Sequence, residues 1–151
     1  MTVTTRLAEE DGAVGGLEVL PFGLLIFVAG TLLLVNAWAV VDAELTAEAA
    51  AREAARAYVE APGPAAAPAL ARAAADETVA AAGRDPERLT LDLGASRLVR
   101  CAVVTAETSY EVPALTLPFV DGFGRGLTVH GSHREVVDAF RAGLGEGHDC
   151  G

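Results

Sequence analysis

The chain has 151 residues, of which 52% are hydrophobic but only 5% aromatic, and a formal net charge of −10. That length allows one modest domain, or a membrane segment joined to a small domain whose alanine-weighted core is limited in size. All eleven basic residues are arginine and none are clustered into a stripe. This argues against a nucleic-acid partner, which needs clustered cations to release counterions from phosphate, and against adsorption to anionic headgroups.

Residues 1–18 form a hydrophilic head with Glu9, Glu10 and Asp11 in a row, glycines at 12, 15 and 16, and a last carboxylate, Glu18. Residues 19–41, VLPFGLLIFVAGTLLLVNAWAVV, then run without a charge. At about 1.5 Å per residue such a helix reaches ~34 Å, enough to cross a hydrocarbon core of about 30 Å. The run is therefore expected to be a transmembrane helix. A cleaved secretory signal is a competing reading, because Ala37-Trp38-Ala39 has the small-x-small pattern. Against it stand the acidic head and a run longer than the usual apolar region of a signal. The short head and the cysteines in the long C-terminal part place the N-terminus in the cytoplasm. The chain is then a single-pass plasma-membrane protein with an extracytoplasmic C-terminal part. Pro21 falls where a missing N–H costs least, and Trp38 suits an interfacial anchor.

Residues 42–61, DAELTAEAAAREAARAYVEA, contain no Gly or Pro and have strong helix propensity, so the helix is expected to continue from about Gly16 to Glu60. Glu48 and Arg52 stand in the favourable i,i+4 order. Leu45, Ala47, Ala51, Ala54 and Tyr58 make a thin apolar stripe suited to packing against other helices. Pro62-Gly63-Pro64 and Pro68 break the helix. A second alanine-rich helix is expected over residues 69–83, closed by glycine. Residues 89–93 alternate as a short strand before a turn at 94–96. Residues 98–112, rich in Val and Thr, put Ala102, Val104 and Ala106 on one face and Cys101, Val103 and Thr105 on the other. Pro113 and Pro118 bracket a loop, residues 121–126 read as a turn, residues 127–137 as a third strand, and residues 143–151 as a tail. The fold class is α+β, with helices on one face of an antiparallel sheet. The organisation is a head or leader over 1–18, a membrane helix over 19–41, its extension over 42–61, and a small extracytoplasmic domain over 62–151.

Candidate chemistry is sparse. His130 and His133, with Asp138 and His148, are the one cluster that suggests a metal, but two histidines three apart diverge on a strand. DGFGRG at 121–126 lacks the lysine and the following helix of a phosphate loop. Ser109 and Ser132 have no evident base. The expectation is a non-enzymatic protein with no catalytic residue, metal or cofactor. Cys101 and Cys150 allow one disulfide if the region is exported.

The acidic head, the glycines, Glu18 at the membrane edge and the continuation into AAREAARAYVEA together resemble the TadE-like family of the actinobacterial type. These are minor pilins or pseudopilins of tight-adherence pili, within the type IV pilus class. The resemblance covers residues 11–61, and it implies a pilin-like architecture and a role in pilus assembly or secretion. It also implies partnership, through the N-terminal helix, with other pilin-like subunits and the assembly platform, in contact with membrane lipid. A prepilin peptidase in that family cuts after glycine, and a glutamate five residues on helps to dock the subunit. Here Glu18 takes the docking part, and cleavage falls after Gly12 or Ala13; a cut after Ala13 makes Glu18 fifth, and one after Gly12 makes it sixth. Two readings stay open beside it: Glu18 as a carboxylate that marks the membrane boundary, and the chain as a bitopic interaction module unrelated to pili.

Overall fold

The computed structural model describes residues 19–113, 115–117, 120–123 and 126–144. It is α+β: a long helix, α1 (Val19–Glu60), a shorter helix, α2 (Ala67–Ala81), a single 3-10 turn at Pro86–Arg88, and five strands. The strands are β1 (Leu89–Asp92), β2 (Val103–Val112), β3 (Leu115–Leu117), β4 (Val120–Phe123) and β5 (Leu127–Val136). β1, β2 and β5 form an antiparallel sheet in the order β1-β2-β5, and β3 and β4 pair separately. The chain divides into two compact units between Ala37 and Trp38.

In the second unit, α1 has a buried face built from two i,i+4 rows. One is Ala43, Ala47, Ala51 and Ala55; the other is Thr46, Ala50, Ala54 and Tyr58. α2 contributes a single row of the same period, Ala67, Ala71, Ala75 and Val79. Alanine costs no side-chain entropy on burial and leaves the helix surface nearly smooth, so both helices form readily and can lie close to whatever covers them. The sheet supplies the larger groups. Alternate residues of β2 are buried (Val104, Ala106, Thr108, Tyr110 and Val112), and their neighbours Val103, Glu107 and Glu111 are exposed. Leu89, Leu98, Val129 and Val137 complete the core.

The contact that fixes α1 on the sheet is a backbone approach. A Cβ built on Gly131 of β5 would lie 2.5 Å from both the Ala47 carbonyl carbon and the Glu48 nitrogen. Only glycine fits there. Its cross-strand partner Thr108 donates from Oγ1 to the Ala47 carbonyl at 2.8 Å, so its buried hydroxyl is satisfied by the helix itself. Two further links fix direction. Tyr58 donates to the Ser96 carbonyl at 2.9 Å, and the Ser96 hydroxyl accepts from the Thr105 N–H at 3.3 Å. Later residues of α1 thus lie beside the start of β2, and earlier ones beside its end.

The structure modifies several sequence expectations. Leu45 is not part of the buried stripe; it is 60% exposed, opposite the alanine rows. Among the described residues, Glu48 and Arg52 do not form an ion pair, whereas Arg56 and Glu60 do, at 3.1 Å. The segment bracketed by Pro113 and Pro118 holds strand β3, and Asp121, Gly122 and Phe123, expected as turn, belong to β4. Two tests of the helix–sheet contact follow. Gly131→Ala gains about 0.5–1 kcal/mol from backbone entropy but meets backbone that cannot rotate away, at an overpacking cost of about 1–3 kcal/mol. The net expectation is a lower thermal midpoint for the full chain in detergent by circular dichroism. Thr108→Val, which keeps shape but removes the donor to Ala47, is expected to cost about 1 kcal/mol in the same assay.

Candidate membrane-anchor segment

The first unit holds the apolar part of α1, and none of its membrane-length stretch is buried in the protein (0%). Phe22, Leu25, Phe27 and Leu33 all face outward. A helix apolar all round with nothing of its own chain upon it has its hydrophobic surface still to be covered. Its polar side chains are turned back on the helix: Thr31 donates to the Phe27 carbonyl and Asn36 to the Leu32 carbonyl, each at 2.8 Å. That is the arrangement a lipid environment demands of polar groups that find no water. A Cβ at Gly23 or Gly30 would touch nothing within 4 Å, so neither glycine is required by the chain's own packing. One long apolar helix of this kind is compatible with a single-pass membrane anchor.

At the start of the second unit the apolar run gives way to polar partners. Gly83, with φ of +71°, closes α2: its N–H donates to the Ala80 carbonyl and the next N–H, of Arg84, to the Val79 carbonyl. This paired pattern is the Schellman ending that glycine permits. It sets Arg84 so that its guanidinium donates to the Ala39 carbonyl at 3.1 Å and to Asp42 at 2.7 Å. The same guanidinium lies 5.7 Å from the centroid of the Tyr110 ring. The first charge after the apolar run, Asp42, is therefore paired with a mostly buried arginine. Nothing in the sequence pattern pointed to Arg84, since its partners are 42 and 45 residues away.

Several expected site residues lie outside the described residues: Glu18, Gly12, Ala13, Cys150 and His148. Cys101 is disulfide-bonded and not a free thiol. Its backbone adopts φ of +60°, and its N–H donates to the Val137 carbonyl at 3.0 Å. His130 and His133 fall on opposite faces of β5, His130 exposed and His133 3.2 Å from Glu135. Asp138 instead accepts from the Phe140 N–H at 2.7 Å. Among the described residues no group of three or more His, Cys, Asp or Glu is placed to hold a metal. Ser109 and Ser132 belong to the solvent-facing side of the sheet, each opposite a polar residue, His130 and Glu107 respectively. Beside β5, Glu60 first and then Glu53 and Glu135 raise the Arg56 pKa above an already high value, which keeps that guanidinium charged.

No family model, curated protein or solved structure matches this chain. The anchor reading is open to direct test. Leu25→Arg places a charge within the uncovered stretch, at a cost of about 2.5–3.5 kcal/mol at a helix centre. The expected outcome is a shift of the protein from the carbonate-resistant membrane fraction to the soluble or aggregated fraction.

Proposed function

We propose that this chain is a single-pass membrane protein of the TadE-like, minor-pseudopilin kind, acting without catalysis as a packing subunit of a pilus or of its membrane machinery. The observation that supports this reading is the wholly uncovered apolar stretch of α1, followed without a break by a helix that carries its own small domain. In this reading the N-terminus is cytoplasmic, the α+β domain is extracytoplasmic, and Cys101 pairs with Cys150. Glu18, at the edge of the apolar run, is the docking group. A carboxylate that close to lipid is favoured only with a cationic partner, and the new α-amino group of a neighbouring subunit is one.

In this reading partner subunits bind ahead of residue 43. The alanine rows of residues 43–58 pack inside the chain's own second unit, so helix-to-helix assembly falls to the residues before them. A bitopic extracytoplasmic module that never enters a fibre uses the same anchor and domain, and leader processing separates the two. Intact mass and N-terminal sequencing of protein from native membranes are expected to give a start at Ala13 or Val14; a start at Met1 or Thr2 favours the module. Glu18→Ala is expected to leave membrane insertion unchanged and to reduce recovery of partner subunits in co-purification, and undiminished recovery rejects the docking role.

A further inference from the structure

We propose that the open edge of β5, with the flank of α1 beside it, is a docking groove for an extended basic segment of another protein, taken up as an added strand. Among the described residues β5 is an edge strand, since the sheet order is β1-β2-β5. It runs ten residues, Leu127–Val136, in unbroken register with β2. Shortness, a bulge or a proline would blunt such an edge, and none is present. The backbone direction at its end is fixed by Val137. Its N–H donates to the Ala102 carbonyl at 2.9 Å, and its carbonyl accepts from the Cys101 N–H at 3.0 Å. Direction alternates along a strand, so the odd-numbered residues bond to β2. The even-numbered ones, His130, Ser132 and Arg134 among them, turn N–H and C=O to the open edge.

The helix forms the wall of the groove. Gly131 brings the α1 backbone against β5, and three hollows follow the seam between them. Glu48 shares one of about 340 Å³ with His130 and Ser132. Arg52 and Arg56 share one of about 400 Å³ with His133 and Glu135, and Glu60 shares one of about 380 Å³ with Val136 and Asp138. Helix and strand thus run in the same direction and in step. Four helical residues rise about 6 Å and two strand residues about 6.8 Å. The exposed i,i+4 row Glu48, Arg52, Arg56 and Glu60 therefore matches alternate side chains of a strand laid on the edge.

Charge selects the occupant. The hollows are lined by six carboxylates, those of Glu48, Glu53, Glu60, Glu107, Glu135 and Asp138, against three guanidinium groups. Of these three, Arg56 is paired with Glu60 at 3.1 Å, and Arg141 is held by the carbonyls of Glu60 and Ala61. Glu48 and Glu53 form no ion pair among the described residues. Lys or Arg at alternate positions of the added strand supplies their partners. A second copy of the chain, with its net charge of −10, is repelled.

The test uses the full chain in an uncharged detergent and a dye-labelled peptide of alternating threonine and arginine, with binding read by fluorescence anisotropy. Two derivatives carry N-methyl groups on every arginine or on every threonine, which removes the amide donors from one edge of the peptide strand or from the other. Strand addition uses one edge alone. One derivative is therefore expected to lose about tenfold or more in affinity and the other to bind as the parent does. Equal affinities for the two derivatives overturn the proposal, since attraction between charges ignores backbone edges. The matching peptide of threonine and glutamate is expected to bind about tenfold more weakly or worse, and binding as tight as that of the arginine peptide overturns the basic partner. Glu48→Gln and Glu53→Gln are each expected to weaken the arginine peptide by up to about fivefold. Unchanged affinity in the double variant overturns the same point. Without peptide, the amides of His130, Ser132 and Arg134 are expected to exchange rapidly with deuterium. Protection that grows with protein concentration assigns the edge to a second copy, protection independent of concentration assigns it to the chain itself, and either overturns the proposal.

Discussion

The second unit depends on how near a helix backbone can come to a strand. At Gly131 the distance is that of main chain against main chain, with no room for a methyl group. The features around it follow from that requirement. α1 has to present alanine there, a hydroxyl on the neighbouring strand has to satisfy the layer, and Thr108 does so by donating to Ala47. With so little side-chain volume on α1, the bulk comes from elsewhere: the largest fully buried side chains are Val104 of β2, Leu98 and Val137 just outside the strands, and Val79 of α2. Small residues give up area per residue, worth about 25 cal/mol per Å², in exchange for close approach and strong helix propensity.

A single helix carries two kinds of surface, and its sequence changes character between them. Before Ala37 the surface is apolar on every side and its polar groups bond inward. After Trp38 the surface divides into a buried alanine face and an outer face with Glu44, Glu48, Arg52 and Glu53 exposed. Arg84 marks the change, because it satisfies a helix carbonyl and the first carboxylate after the apolar run with one side chain. The domain is thus joined to the helix at both ends of the contact, by Arg84 near Ala39 and by Arg141, which donates to the carbonyls of Glu60 and Ala61.

Much of this was legible in the sequence where periodicity or propensity carries the information. The uncharged run, its helical continuation, the break at Pro62-Gly63-Pro64 and the alternation of Val104 and Ala106 against Val103 all belong to local pattern. What covers a face does not. The alanines of residues 43–58 suit a partner helix as well as they suit a sheet, and only the fold shows that the sheet has them. Gly131 sat inside HGSHRE, a stretch that attracts attention for its histidines, yet the glycine between them is where strand and helix backbones leave no room for a Cβ. The strands β3 and β4 were hidden by the prolines around them, which read as loop punctuation. Glu18 and the candidate cleavage positions are legible only as chemistry at a boundary, since they lie outside the described residues.

The antiparallel course of β2 against α1 has a mechanical consequence. Tension applied along α1 from Trp38 loads the helix–sheet seam in shear, parallel to its length. Sliding the helix by one residue would carry the Ala47 carbonyl away from Thr108 and drive a neighbouring part of the helix surface against Gly131. The links at Arg84, Thr108, Tyr58 and Arg141 would then resist together and not one after another. A domain loaded through one end of a long helix is well served by a joint that has to fail all at once.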